Sequence, residues 1–317
     1  MYLSIIESIR LHAINPIQPH ILENTQWQVG ILPQTGGSIA FARLKHNGGW
    51  ADFMRPTPES SYADAPDCAS YVLIPWASRI NNAQFTFKGT AYTLRRNQKN
   101  FAIHGIGRDY PWHIEASSGN SVVLSFNSAN YANANFPFRF SARLQYEIQD
   151  SCFFLKTSLK NEDTRAIPGG FGHHPFFQRS LTTQPDNVEL EIPCTEYMDL
   201  SSGVPTKAPE PILEHLDFTK LRSVGRVNID DCLTGRDDSK PIRIVYPDAG
   251  REVIFHADAL FRVVVLYAPS DEDYFAVEPL TMATDGFNLY EKNIPGSGVF
   301  VLEPGEEKSG TMYLEAN

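Results

Sequence analysis

The sequence predicts an all-β protein, a large antiparallel β-sandwich or barrel. Its apolar runs are short, alternate or run apolar over strand lengths, and are rich in β-branched and aromatic residues. Asn, Gly, Asp or Pro clusters bound most of these runs, and aromatic residues make up 12% of the chain. Helical periodicity is weak by comparison.

Residues 2–12 carry the best helix pattern, and "TPESSYAD" (57–64) reads as a turn or a single helical turn. "SVVLSFN" (121–127), "FRFSARLQYEI" (138–148), "CFFLKTSLKN" (152–161) and "NVELEI" (187–192) read as strands. The stretch 199–225 is irregular and holds Pro205, Pro209 and Pro211. The segments on both sides of it are alike in composition, so it reads as a long excursion from one domain. "FTKLRSV" (218–224) is a third, short helix pattern, and "IRIVY" (242–246) and "FRVVVLYAP" (261–269) are further strands. "KHNGGW", "PDAG" and "EPGEE" read as turns. The expected division is an N-terminal extension, 1–24, with its short helix packed on the domain, and a single β-sandwich domain, 25–317. A chain of 317 residues is long for one domain, but large all-β folds often run past the usual size.

The net charge of −10 argues against nucleic acid or an anionic membrane as partner. A small phosphorylated substrate stays compatible with it, because one local Arg cluster is enough. No run of about 18 apolar residues occurs, so no membrane span is expected. The opening "MYLSIIESIRLHAINP" is interrupted by Glu7 and Arg10 and lacks the pattern of a secretion signal. Cys68, Cys152, Cys194 and Cys232 are far apart and form no CxxC, which favours a reducing, cytoplasmic location.

Five stretches set a chemically useful polar residue in a strand-like context. In "LIPWASRINNAQF", Arg79 either pairs with a structural carboxylate or offers a fixed fork of donors to hydroxyl or carboxylate oxygens. In "NFAIHGIGRDYPW", His104 precedes a glycine; read alone it fits a hydrogen-bonded core or turn histidine better than a functional one. "GGFGHHPFF" (169–177) puts His173 and His174 on opposite faces if it is extended. Phe171, His173 and Pro175 then share one face, and Gly172, His174 and Phe176 the other, with Gly172 leaving room beside His174 for a ligand. In "VNIDDCLTG", Asp230 and Asp231 fit a solvated turn as well as a site. In "YFAVEPLTMATDGFN", Glu278 ends an apolar run, where a carboxylate is unusual unless paired and where a raised pKa suits a general base. Metal-ligand spacings such as HxH, HExxH or HxxxH are absent, which argues against a metal.

Taken together and in this order, "PWASRI", "NFAIHG", "GFGHHPFF", "DDCL" and "FAVEPLT" followed by "DGFN" resemble the aldose 1-epimerase (mutarotase) family. The C-terminal "GVFVLEPGEEKSGTMYL" adds to the resemblance, which runs from about residue 25 to the end. It implies the galactose mutarotase-like supersandwich, with a sugar cleft on one sheet. It further implies His174 as catalytic histidine, Glu278 as catalytic base, and Arg79, His104 and Asp230 as sugar contacts. The doubled Asp leaves Asp230 and Asp231 as alternatives for the last position.

Galactose mutarotases often carry Asn before the histidine and Thr after it; His173 and Pro175 stand there in this chain. The expected activity is interconversion of the α and β anomers of a small aldose without a cofactor, by a monomer or homodimer. Glu278 takes the C1 hydroxyl proton and His174 protonates the ring oxygen. Phe176, Trp76 or Tyr110 is expected to cover the sugar face. The alternatives are a hexose-6-phosphate 1-epimerase, with Arg95, Arg96 and Arg108 near the phosphate, and a non-catalytic sugar-binding protein on the same fold.

Overall fold

The computed structural model describes residues 16–182 and 187–317. Two large antiparallel sheets pack face to face. One runs in the order His113–Ser117, Ser121–Asn127, Phe140–Gln149, Cys152–Asn161, Glu307–Ala316, Arg251–Ala257, Ile242–Tyr246, Glu189–Glu191 and Arg222–Ser223. The other runs Glu210–Pro211, Cys194–Met198, Ile229–Arg236, Val263–Ala268, Tyr274–Leu280, Gly172–His173 and Val72–Leu73, with Phe176–Gln178 also paired to Tyr274–Leu280. A smaller four-stranded sheet holds His20–Glu23, Trp27–Leu32, Ser38–His46 and Gly49–Asp52.

The first sheet follows the alternation in its sequence. Along Phe140–Gln149 the side chains of Phe140, Ala142, Leu144, Tyr146 and Ile148 are buried, and the residues between them are less so. The second sheet behaves differently. Val263–Ala268 and Tyr274–Leu280 are buried almost throughout, on both faces. One face meets the first sheet: Phe177 lies against Phe255, and the Tyr246 hydroxyl donates to the Gln178 carbonyl. Glu278 therefore sits in a strand with little access to water.

Arg179 fixes the hairpin that leads into this strand. Its guanidinium is fully buried and donates to the carbonyls of Tyr274, Gly225 and Pro269. Carbonyls that bind a buried cation keep it hydrogen-bonded where water is absent.

Of the two short helix patterns within the described residues, one holds and one does not. The 57–64 stretch forms one 3-10 turn, Glu59–Ser61. The 218–224 stretch is not helical: Arg222–Ser223 pairs with Glu189–Glu191, while Phe218 and Val224 bury into the core. The α-helix among the described residues is Gly286–Glu291, which buries Phe287 and Leu289. The helix pattern at 2–12 lies outside the described residues. His20–Glu23 already pairs with Trp27–Leu32, so sheet structure begins before residue 25. The 199–225 excursion supplies an edge strand to each large sheet, Glu210–Pro211 to one and Arg222–Ser223 to the other. No helix among the described residues is long and apolar enough to cross a membrane.

Candidate active site

Strand register brings His174 and Glu278 together. Gly172 pairs with Leu280 and Phe176 pairs with Ala276, so position 174 falls opposite position 278. Residues opposite each other on neighbouring antiparallel strands project from the same face. Pro175 has no N–H and breaks the ladder at this point, and the chain instead leans on its other neighbour. The His174 amide donates to the Tyr71 carbonyl at 3.0 Å and the Phe176 amide to the Ala69 carbonyl at 2.8 Å. His174 Nε2 then lies 3.3 Å from Glu278 Oε1. The two side chains are 10% and 2% exposed.

His173 takes the opposite face and enters the space between the sheets. Its Nε2 is 3.0 Å from the Thr157 hydroxyl, and its ring meets Tyr146 edge-on. Gly172 does share the face of His174, but it leaves no room for a ligand. A Cβ there would fall 2.3 Å from Leu280 Cδ2 and 2.9 Å from the Pro279 carbonyl oxygen. The glycine is needed for close approach of the strands, not for substrate.

Arg79 and Asp230 form a second pair, with Arg79 Nη2 donating to Asp230 Oδ2 at 2.5 Å. Their side chains are 22% and 48% exposed, so both remain within reach of a ligand. Asp230 is thus the member of the doublet that meets Arg79. Next to it, Asp231 is partly buried and held above the usual carboxylate range, by burial first and by the Asp230 charge second. Arg79 is held from behind. Its carbonyl accepts from the Asp285 amide at 2.7 Å, and the Ser78 and Thr284 hydroxyls are 2.7 Å apart.

His104 completes the cluster from a left-handed backbone conformation, φ 66°. Its amide donates to the Ser78 carbonyl, and its ring stands edge-on to His174, with centroids 5.4 Å apart. A non-glycine residue in this region is strained, and such strain clusters at functional sites. The following residue must be glycine: at Gly105, φ 68°, a Cβ would fall 2.0 Å from the Ile74 carbonyl oxygen.

The expected aromatics divide. Phe176 packs tilted against His174, with ring centroids 4.4 Å apart. Trp76 is instead fully buried against Phe136, and Tyr110 packs on Tyr131 and Phe126, so neither belongs to this cluster. The second ring on His174 is Tyr71, at 5.0 Å. Arg55 lies behind Phe176, its guanidinium carbon 4.1 Å from that ring's centroid; neither it nor Tyr71 has a flag in the sequence beyond Arg55 preceding Pro56 as Glu278 precedes Pro279.

Burial sets the protonation of the central pair. It lowers the His174 pKa below the ordinary 6.5, with the charges of Arg108 and Arg55 adding to the effect. It raises Glu278 well above the ordinary carboxylate value; Asp230 pushes the same way and Arg79 the other. Both members are driven toward their neutral forms, so the ion pair expected from unperturbed values gives way to a neutral carboxyl beside a neutral imidazole. His104 is likewise held well below its ordinary value by burial.

Among the described residues, no group of three or more His, Cys, Asp or Glu is placed to hold a metal. A cavity of about 1060 Å³ lies farther along the sheet, lined by Thr234, Arg236, Phe261, Tyr290 and Phe300 among others. It does not include the His174–Glu278 pair, which is where titratable groups with displaced pKa values converge.

The family model described as aldose 1-epimerase matches residues 22–315. A relative from Escherichia coli (strain K12), the uncharacterized protein YihR, is 26% identical over 244 residues, covering 74% of this chain and 75% of its own. A galactose mutarotase-like protein from Clostridium acetobutylicum superposes with a TM-score of 0.81 at 19% identity, covering 94% of each chain. A GalM/aldose epimerase homologue from C. elegans superposes with a TM-score of 0.79 at 18% identity, covering 94% of this chain and 99% of its own. At these identities the structural likeness establishes the galactose mutarotase-like fold.

Proposed function

As the chain belongs to the aldose 1-epimerase family, we propose that it interconverts the α and β anomers of an aldose, with His174 and Glu278 as the acid–base pair. The observation that carries this reading is the buried His174 Nε2–Glu278 Oε1 contact of 3.3 Å. Ring opening removes a proton from the C1 hydroxyl and delivers one to the ring oxygen. Both oxygens are bonded to C1, so the acid and the base must themselves be close neighbours. The C1–C2 bond then rotates, the ring closes on the other face, and each group reverses its role. Glu278 serves the C1 hydroxyl and His174 the ring oxygen. Arg79, Asp230 and His104 hold the sugar hydroxyls, and no net oxidation, hydration or group transfer takes place.

Ring opening draws on the tautomer with Glu278 ionised and His174 protonated, reached from the neutral pair by passing the shared proton from Glu278 to His174 across their 3.3 Å contact. Unperturbed Glu and His hold a single proton between them only from about pH 4.3 to 6.5. Burial moves the Glu278 value up and the His174 value down. The one-proton state then begins well below pH 4.3 and extends up to the raised Glu278 value. Polarimetry of freshly dissolved α-glucose and α-galactose should show accelerated approach to the equilibrium rotation of each sugar, with the acid limb of kcat/KM displaced below the unperturbed pH of about 4.3. A narrow bell confined between the unperturbed values would contradict the displacement of the two values by burial. Sugar binding with no acceleration would support a binding protein on this fold instead.

A further inference from the structure

Thr234 buries a hydroxyl that has no partner. The residue is 4% exposed, and its Oγ1 makes no hydrogen bond among the described residues. A buried hydroxyl left in this way costs stability unless a ligand satisfies it. Thr234 lines the cavity of about 1060 Å³ that lies along the sheet from the His174–Glu278 pair.

Strand register fixes the place of that cavity. Glu196 pairs with Thr234, so the two project from one face, and Glu196 lines the cavity as well. Asp230, Cys232 and Thr234 alternate along Ile229–Arg236 and share that face. The cavity is therefore on the same side of the sheet as the Arg79–Asp230 pair, but it is walled off from it. Met198 and Cys232 stand opposite each other in the row between, and both are fully buried. Residues 283–285 link the two walls. The Asp285 amide donates to the Arg79 carbonyl, and the Ala283 amide donates to the carbonyl of Ser297, which lines the cavity.

The lining says what the cavity would hold. Tyr290, 37% exposed, and the half-buried Phe300 offer ring surface. Glu196, Arg262 and Lys308 are exposed, and none of the three is in an ion pair among the described residues. An anionic ligand would be opposed by Glu196, and a cationic one by Arg262 and Lys308. A neutral sugar suits both signs, because each of its hydroxyls donates and accepts. Its C–H faces pack on aromatic rings. Small-molecule pockets run to about 1,000 Å³, so the cavity suits more than one sugar ring. We infer that it is a second carbohydrate-binding site, separate from the His174–Glu278 site, which takes a neutral oligosaccharide and gives the Thr234 hydroxyl its partner.

The test is calorimetric titration with raffinose, maltotriose and cellotriose. Raffinose has no free anomeric hydroxyl, so its binding owes nothing to ring opening. At least one of the three should bind at millimolar concentration or below. T234V should weaken that binding roughly threefold to tenfold, the loss of one hydrogen bond. Its melting temperature should equal or exceed that of wild type, since a methyl replaces a hydroxyl without a partner. Y290A alters an exposed ring and should weaken the binding as well, so the test stands even where T234V does not fold. E278Q should bind the trisaccharide as wild type does, and T234V should keep any activity on glucose. Binding of none of the three sugars overturns the proposal. So does binding unchanged in both T234V and Y290A, and so does binding lost in E278Q, which would place the sugar at the His174–Glu278 pair.

Discussion

E278Q is expected to lose about 10²- to 10⁴-fold in mutarotation rate, the usual contribution of one general acid–base group, while the folded protein becomes more stable at neutral pH. The two effects have one cause. Glu278 is buried, and its folded pKa is raised well above the ordinary 4.5. A raised carboxyl value favours folding fully only below the unfolded value, and this contribution is lost as the pH climbs from there toward the folded value. At pH 7 the native carboxyl is therefore a net cost. Gln copies the neutral form and removes that cost, along with the carboxylate that must take the C1 hydroxyl proton. Urea unfolding at pH 7 and pH 4 should find E278Q more stable than wild type at the higher pH, with the gap closing at the lower one. A variant that is less stable at pH 7, or that keeps full turnover, contradicts this account.

Acidification is expected to destabilise the protein steeply, and H173Q to blunt the effect. Burial lowers the folded pKa of His173 from 6.5 to about 3. Below the unfolded value the unfolded chain takes up a proton that the native one refuses. Stability from this group is thus whole above pH 6.5 and falls by about 1.4 kcal/mol per pH unit down to the folded value. The full loss is about 5 kcal/mol. His174 and His104 are lowered in the same direction and add to the slope. Glu278 offsets one of them above its unfolded value of 4.5 and stops doing so below it. The unfolding free energy should therefore begin to drop near pH 6.5 and steepen below 4.5. Gln at position 173 can still hydrogen-bond Thr157 but does not titrate, so the slope in H173Q should be smaller by about 1.4 kcal/mol per pH unit. Parallel slopes in the two proteins would mean that His173 is not buried neutral.

The face that carries the candidate pair was legible in the sequence wherever parity alone decides it. Alternation in "GGFGHHPFF" separates His173 from His174, and the structure sends the first to Thr157 and the second to Glu278. The alternating strands at 121–127 and 138–148 follow from the same period. What depends on distant packing was not legible. The space beside Gly172 is filled by Leu280, more than 100 residues downstream. Tyr71 and Arg55 join His174 only because the segments 69–71 and 53–55 are laid along the 172–178 strand, through amide bonds that no local pattern announces. Trp76 and Tyr110 have the right residue type near the right motifs, but each goes to another cluster. The helix Gly286–Glu291 is too short for its periodicity to stand out, and it starts after Asp285 in a left-handed conformation.

The central claim is that His174 and Glu278 together move the proton of ring opening. Exchange NMR of an aldose at anomeric equilibrium, run with wild type and H174N at equal concentration, tests it most directly. Wild type should raise the α–β exchange rate far above the spontaneous rate without changing the anomer ratio. H174N should fall back by about 10²-fold or more while the sugar still shifts its melting temperature. Exchange as fast with H174N as with wild type would contradict the claim.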